Sequence, residues 1–302
     1  MSPLRPFQPL SAGSRVSLVA PSGPLKPGDL DRAVANTKQL GWEPVVGSFV
    51  NSSEGYFAGN DELRLDDFNE ALRDDSVDAI WCLRGGYGAM RLVENLDYDA
   101  LKRRPKAIIG FSDVTALHCA VALRADLWSI HGPTARGTLT PLSEKSLRAA
   151  ASRADQPAGE APDARTLVRG RARGRLMGGN LSVLAALHGT PFQPDYQGAI
   201  LVLEDVNEAP YRIERMLLQL RLSGHLQQCA GIAFGQFTNP TDDPSLGGTR
   251  SLEVVLAEAA ELAGVPAIAG IPLGHIEEQW SLPMGAEAEL DADAKSLTIK
   301  SL

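Results

Sequence analysis

The sequence predicts an α/β protein whose first half is a parallel β-sheet covered by helices on both faces. Short apolar runs alternate with helical segments between residues 15 and 131, and such alternation is typical of parallel sheets. Gly, Pro or Ser residues follow most of the apolar runs and end them sharply. The predicted strands span residues 15–20, 43–50, 77–83, 107–109 and 127–130.

Helices are expected between these strands. Residues 29–40 have helical character and stop at Gly41, and residues 61–74 place Leu65, Phe68 and Leu72 on one face. Two further helices are predicted over residues 89–95 and just after Asp113. Ligand sites in parallel sheets lie at the carboxyl ends of the strands, so functional residues are expected there.

The second half of the chain predicts a separate domain. Residues 149–166 are rich in Ala, Pro, Asp and Gly without periodicity, which predicts a linker between a domain at residues 1–148 and another at 167–302. The second domain should contain strands at residues 198–205 and 231–237, helices at 181–187, 211–222 and 252–262, and a terminal hairpin formed by 288–290 and 296–299.

Composition narrows the class of protein. The chain has 302 residues, 44% hydrophobic, with a net charge of −8, which argues against a nucleic-acid partner. No apolar run approaches the length of a membrane span, and the proline-rich first ten residues do not resemble a signal peptide. Three scattered cysteines, Cys82, Cys119 and Cys229, fit a reducing compartment. These features predict a cytoplasmic protein.

The stretch around Ser112 carries the clearest chemical signal. An apolar run ends at Gly110, and a helical stretch begins just after Asp113, so Ser112 lies in the tight turn between strand and helix. A nucleophile elbow is built in this way, with the helix N-terminus directed at the same spot. The full G-x-S-x-G pattern is absent because position 114 is Val. The alternative is that Ser112 and Asp113 only cap the helix.

The other parts of a serine hydrolase have candidates at strand ends. The backbone N–H groups of Gly86 and Asp113 could form an oxyanion hole, although Gly85-Gly86 could equally be a simple turn. His275, in a loop after an apolar stretch, is a candidate base, with a structural histidine as the alternative. Glu204 ends a wholly apolar strand and is a candidate carboxylate; a charge at the entry to the next helix is its alternative.

Metal and cofactor motifs are missing from the sequence. There is no H-E-x-x-H or C-x-x-C pattern, and the glycine-rich loops match neither a Walker loop nor a G-x-G-x-x-G fingerprint. We therefore expect neither a metal nor a cofactor.

Several ordered motifs together resemble the LD-carboxypeptidases, serine peptidases of bacterial murein recycling. The resemblance extends from about residue 15 to about residue 299. In one motif the family's usual Leu-Pro-Leu-Gly is Leu-Pro-Met-Gly, a mild departure at Met284. The motifs are Leu-Arg-Gly-Gly-Tyr-Gly at residues 83–88, Gly-Phe-Ser-Asp at 110–113, Leu-Glu-Asp-Val-Asn-Glu at 203–208, Tyr-Arg-Ile-Glu-Arg-Met at 211–216, Gly-His at 274–275 and Leu-Pro-Met-Gly at 282–285.

The resemblance implies a catalytic triad of Ser112, His275 and Glu204 in a cleft between two domains. It also implies a flavodoxin-like or amidotransferase-like N-terminal domain and a smaller, mostly β C-terminal domain. The implied activity is removal of the terminal D-alanine from a muropeptide of the type L-Ala-D-Glu-meso-diaminopimelate-D-Ala, in the cytoplasm. The resemblance is compatible with a homodimer.

Two other functions compete with this interpretation. The microcin C immunity branch of the same family cleaves a peptidyl- or aminoacyl-nucleotide amide with the same triad. A non-catalytic α/β binding protein would need Ser112 only as a cap and His275 only as a structural residue.

A carboxypeptidase must also hold a free terminal carboxylate, because a desolvated carboxylate without partners is costly. Arg84, next to Gly85-Gly86, is the expected cation. Its alternative role is an ion pair at the surface or between domains.

Overall fold

A computed structural model describes residues 4–241 and 250–300, and it divides the chain into two compact units. The N-terminal unit comprises residues up to Pro157 together with the segment Trp280–Gly285. The C-terminal unit comprises Ala158–Gln279 and the residues from Ala286 onward. No helix within the described ranges is long and apolar enough to cross a membrane.

The strands follow one another along the described chain in this order: β1 (Arg15–Val19), β2 (Glu43–Val46), β3 (Ala79–Cys82), β4 (Ala107–Gly110), β5 (Ser129–His131), β6 (Arg165–Val168), β7 (Arg171–Asn180), β8 (Ile200–Val206), β9 (Gly231–Thr238), β10 (Ala267–Ala269), β11 (Leu282–Met284), β12 (Glu287–Asp291) and β13 (Ser296–Ile299). The helices are α1 (Asp29–Gln39), α2 (Asp61–Arg73), α3 (Tyr98–Arg103), α4 (Thr115–Ala125), α5 (Pro141–Ser152), α6 (Leu181–Leu187), α7 (Pro210–Leu222), α8 (His225–Gln228) and α9 (Leu252–Ala263).

The N-terminal unit is built on a six-stranded sheet in the order β2-β1-β3-β4-β5-β11. The first five strands are parallel to their neighbours, which confirms the α/β class predicted from the alternation of strands and helices. Every residue of β3 and β4 is buried, as expected for central strands covered on both faces. The carboxyl ends of β3 and β4 lead directly into the Gly85-Gly86 loop and the Ser112 turn.

Some predicted elements are shorter in the structure. The helix expected over residues 89–95 is a single 3₁₀ turn, Ala89–Arg91, preceded by Gly88 at φ 132°. The strand expected over residues 43–50 ends at Val46. Gly47 has no room for a side chain, because a Cβ there would lie 2.7 Å from a carboxylate oxygen of Asp67.

The sixth strand of this sheet comes from the far end of the sequence. β11 pairs antiparallel with β5, with Leu282 opposite His131. The backbone N–H of Ser281 donates to Ser146 Oγ at 2.7 Å, and Trp280 is buried. This returning segment therefore completes the edge of the N-terminal sheet.

The C-terminal unit is built on a seven-stranded sheet in the order β13-β12-β7-β8-β9-β10-β6. The four central strands β7, β8, β9 and β10 are parallel. β6 and β12 pair antiparallel with β10 and β7, and β13 pairs antiparallel with β12. The predicted terminal hairpin is confirmed as β12 and β13. Two regular elements enter the predicted linker at residues 149–166, since α5 continues to Ser152 and β6 begins at Arg165.

Candidate active site

Ser112 lies in a strained turn between β4 and α4. A 3₁₀ turn, Ser112–Val114, connects the two elements, and Ser112 has a φ of 65°. Residues other than glycine rarely adopt this left-handed conformation, which costs on the order of 1–3 kcal/mol and tends to occur at functional sites. The geometry is therefore that of a nucleophile elbow despite the valine at position 114.

The N-cap position of α4 is occupied by Val114 rather than by Ser112 or Asp113. Val114 makes no side-chain cap hydrogen bond. The buried Asp113 carboxylate instead accepts the backbone N–H of Ala89 at 2.8 Å. Asp113 thus ties the Ser112 turn to the chain that follows the glycine loop.

The Gly85-Gly86 loop lies directly against the Ser112 turn. A Cβ added to Gly85 would be 3.1 Å from Ser112 Oγ and 3.5 Å from the Asp113 backbone nitrogen. Gly86 has a φ of 126°, and a Cβ there would lie 3.2 Å from the Gly23 nitrogen. Glycines at both positions permit this close backbone approach. The structure therefore brings together the hydroxyl and the glycine loop that were predicted as site components.

His118 holds the strand end beneath this turn. Its Nε2 lies 2.9 Å from the Gly110 carbonyl oxygen, so the ring nitrogen donates to that carbonyl. Burial lowers the pKa of His118 to about 4. The ring is therefore neutral at physiological pH and acts as a structural donor.

Arg84 is half-buried beside the loop that follows β1. Its Nη1 donates to the Pro24 carbonyl oxygen at 2.5 Å, and burial lowers its pKa, with Arg136 acting in the same direction. Across the described ranges, no carboxylate pairs with Arg84, and its buried Nε has no hydrogen-bond partner. No salt bridge to Arg84 forms within the described residues, although Asp29 acts to raise its pKa, and the buried Nε packs close to Gly23.

The C-terminal unit brings Glu204 and His275 together. Glu204 Oε2 lies 2.7 Å from His275 Nδ1. Glu204 is fully buried at the end of β8, and that burial raises its pKa against the opposing effect of His275. Gly274 makes the contact possible, because a Cβ there would lie 2.9 Å from Glu204 Oε2. A carboxylate bonded to Nδ1 leaves Nε2 as the basic ring nitrogen.

Asp205, the neighbouring carboxylate, has a different set of partners. It accepts hydrogen bonds from the backbone N–H and the hydroxyl of Ser182 at 2.9 and 2.6 Å. Asn180 Nδ2 donates to Asp205 Oδ1 at 3.0 Å and to Glu204 Oε1 at 3.3 Å. The pairing of β8 with β9 shifts register between Leu203 and Asp205, and both carboxylates are buried. Asp205 therefore accepts hydrogen bonds at the start of α6, and Glu204 bonds to His275.

Sequence reasoning did not identify Asn180 as a partner of Glu204. The available signal was the sequence Gly178-Gly179-Asn180 ahead of a helix, which resembles an ordinary N-cap. Asn180 is indeed the N-cap of α6, accepting the N–H of Val183. Its second role depends on the parallel pairing of Asn180 with Glu204 across β7 and β8, which composition does not reveal.

Comparison with known families gives two matches that together span most of the chain. The sequence model described as the LD-carboxypeptidase N-terminal domain matches residues 16–132. The model described as the LD-carboxypeptidase C-terminal domain matches residues 173–290. The first contains Ser112 and the glycine loop, and the second contains Glu204 and His275.

Individual proteins show the same similarity. The murein tetrapeptide carboxypeptidase of Pseudomonas aeruginosa is 36% identical over 301 residues, covering 95% of this chain and 95% of that protein. The structure of muramoyltetrapeptide carboxypeptidase from Oxalobacter formigenes aligns with a TM-score of 0.83 at 31% identity, covering 95% and 98% of the two chains. The structure of MccF with glutamyl sulfamoyl guanosine aligns with a TM-score of 0.88, covering 98% of each chain. At 24% identity, this last likeness shows the fold alone.

The buried His118 predicts a specific loss of stability in acid. Its pKa is about 4 in the folded protein against 6.5 as the ordinary value, so between these values the unfolded chain binds more protons and stability falls as pH falls. From pH 7 to pH 5, wild type should lose about 2 kcal/mol more free energy of unfolding than His118→Gln, which does not titrate. Urea denaturation at both pH values measures the difference. Equal losses in the two proteins would contradict this assignment.

Proposed function

The chain belongs to the LD-carboxypeptidase family, and on that premise we propose that it is a serine carboxypeptidase that removes the terminal D-alanine from murein tetrapeptides. The observation that carries the proposal is the strained Ser112 turn, whose hydroxyl and following backbone N–H both lie next to Gly85. The names of the relatives support a murein peptide as the substrate. A cytoplasmic location and a homodimer remain predictions.

In the proposed mechanism, Ser112 Oγ attacks the carbonyl carbon of the bond before the terminal D-alanine. His275 Nε2 takes the hydroxyl proton, and Glu204 holds the ring through Nδ1 and stabilises the imidazolium that forms. The N–H groups of Gly86 and Asp113 donate to the oxyanion of the tetrahedral intermediate. His275 then returns the proton to the leaving amine, D-alanine departs, and water releases the acyl group from Ser112 by the same steps.

The burial of Glu204 suits this role. A buried carboxylate is stabilised in its charged form by strong partners, and the imidazolium of His275 would be such a partner at 2.7 Å. The interaction strengthens as positive charge develops on the ring. The pair therefore stabilises the transition state more than the resting enzyme, which is the requirement for catalysis.

Two experiments separate the proposed activity from the two competing functions: a comparison of substrates and a reaction with a serine-directed probe. Hydrolysis of a peptidyl- or aminoacyl-nucleotide amide would use the same residues, so incubation with both substrate classes separates it from murein peptide cleavage. A non-catalytic binding protein would not react with a fluorophosphonate probe. Release of D-alanine from a disaccharide tetrapeptide, and its absence when the terminal residue is the L-enantiomer, is the result expected here.

The nucleophile assignment predicts that Ser112→Ala folds but loses nearly all turnover. Removal of a triad serine costs on the order of 10⁶ in kcat. The fluorophosphonate probe should label wild type and leave the variant unlabelled. Ser223→Ala, which removes an exposed serine that bonds only to Gln219 within α7, serves as the matched control and should keep wild-type activity. A folded Ser112→Ala enzyme with a tenth of the wild-type rate would disprove the assignment.

The two adjacent carboxylates predict opposite outcomes. Glu204→Gln removes the charge that faces His275 and should lower kcat by about 10⁴. Asp205→Asn changes a carboxylate that contacts Ser182 and Asn180 rather than His275, so it should lower the free energy of unfolding and keep kcat within about tenfold of wild type. Both are measured by D-alanine release and urea denaturation. An inactive Asp205→Asn beside an active Glu204→Gln would show that Asp205 is the orienting group.

A carboxypeptidase must hold a free terminal carboxylate, and we propose that Arg84, which directly precedes Gly85-Gly86, is the residue that binds it. Loss of a hydrogen bond to a charged group costs about 1.5–3 kcal/mol, so Arg84→Ala should raise KM for the free-acid tetrapeptide by about tenfold or more. A C-terminally amidated analogue should be far less affected, because its charge is already absent. Arg32→Ala, at an exposed position on α1, is the control. Equal losses on acid and amide would assign Arg84 a structural role.

A further inference from the structure

A cluster of aromatic rings lies beside the glycine loop in the N-terminal unit. We call the rings of Tyr56, Phe57 and Tyr87 the aromatic platform. Tyr56 is 66% exposed and Tyr87 is 51% exposed, and their ring centroids are 5.8 Å apart. Phe57 links them, with centroids 4.5 Å from Tyr56 and 5.6 Å from Tyr87.

Two arginines contact the Phe57 ring of the platform. The guanidinium of Arg64 is fully buried and lies 4.7 Å from the centroid of Phe57, while bonding to Asp61 and to the Pro21 carbonyl. Arg91 pairs with Asp61 at 2.6 Å and lies 5.5 Å from the same centroid. Cations over an aromatic ring are attracted to its face. These contacts fix the position of Phe57, whose ring contacts both tyrosine rings.

The loop that carries Tyr87 packs closely against Arg64 and Phe57. Gly88, the next residue, could not carry a side chain, because its Cβ would lie 2.5 Å from Arg64 Nη1 and 2.9 Å from Phe57 Cδ1. Gly88 also has a φ of 132°, a region that favours glycine. The platform is therefore rigid before any ligand arrives, which lowers the entropic cost of binding.

Stability of the fold does not account for these exposed rings. A tyrosine whose ring remains largely in water contributes little buried area, whereas rigid tyrosines with an apolar face and a polar tip are characteristic of binding surfaces. Within the described ranges, Tyr211 is the remaining aromatic with comparable exposure, and it belongs to the C-terminal unit. The adjacent pair Tyr56 and Tyr87 thus stands apart from the rest of the described surface.

The position of the platform matches one part of a muropeptide. Tyr87 follows Gly85 by two residues, so their Cα atoms are at most about 7–8 Å apart, and Gly85 lies against Ser112 Oγ. In a tetrapeptide cleaved before its last residue, three residues separate the reacting carbonyl from the end that carries the sugar. An extended chain of that length spans about 10 Å. The sugar therefore falls at the distance of the platform when the peptide reaches Ser112.

We propose that Tyr56 and Tyr87 form a carbohydrate subsite that binds the sugar attached to a muropeptide. The apolar C–H face of a pyranose ring would stack on the negatively charged face of an aromatic ring, and the phenol hydroxyls could bond to sugar hydroxyls. This inference rests on the proposed function and adds that the enzyme prefers peptides that still carry their sugar.

The experiment compares a disaccharide tetrapeptide with the same tetrapeptide without sugar. Wild type should show a KM about tenfold lower for the disaccharide form. The double variant Tyr56→Ala/Tyr87→Ala should raise that KM about tenfold, as expected for truncation of aromatic anchors at a binding surface, with kcat unchanged and both constants unchanged for the free peptide. The pair Tyr56→Phe/Tyr87→Phe keeps the rings and should retain most of the preference. Leu222→Ala removes an exposed apolar side chain of α7 and is the surface control.

Several results would overturn the proposal. Equal KM values for the two substrates in wild type would show that the sugar is not bound. Equal effects of the alanine pair on both substrates, with a change in sedimentation, would make the platform a contact between subunits. A phenylalanine pair as impaired as the alanine pair would exclude stacking, and a loss confined to nucleotide-linked substrates would exclude a carbohydrate. If wild type released D-alanine from neither peptide, the proposed function itself would fail and the subsite with it.

Discussion

The left-handed backbone of Ser112 is the constraint on which the N-terminal unit depends. A serine at φ 65° is less stable than an extended or helical one by on the order of 1–3 kcal/mol, so the surroundings must hold it there. His118 fixes the Gly110 carbonyl on one side of the turn, and Asp113 bonds to Ala89 on the other. Gly110 itself has no space for a side chain, because a Cβ would lie 3.0 Å from Val114. Buried polar contacts on both sides thus maintain the left-handed conformation of Ser112.

A buried charge imposes a comparable constraint on the C-terminal unit. Glu204 is removed from water at the end of an apolar strand, which is costly unless its oxygens find partners. His275 satisfies one oxygen and Asn180 the other, and Gly274 allows the loop to approach closely enough. Asp205 next to it is satisfied by a different set of groups. Two adjacent carboxylates therefore have distinct environments, and His275 bonds to Glu204.

Local signals account for what the sequence predicted, and long-range pairing accounts for what it did not. Residues close together in the sequence determine the alternating strands and helices, the Ser112 turn and the hairpin of β12 and β13. The return of residues 282–284 to pair with β5 and the contact of Asn180 with Glu204 join positions far apart in the chain. Composition carries no information on either. The helix expected over residues 89–95 is a single 3₁₀ turn in the structure, although Asp113 accepts its first N–H as a cap would.

One short loop connects the proposed nucleophile to the proposed carbohydrate subsite. Gly85 and Gly86 lie against Ser112, while Tyr87 and Gly88 lie against Phe57 and Arg64. These four residues are consecutive, so one short backbone segment joins the aromatic platform to the Ser112 turn. The buried guanidinium of Arg64, paired with Asp61, supports the Gly88 end of the loop. Glycine at three of the four positions gives the loop the close approaches it needs, and the tyrosine between them is the one side chain that projects from it.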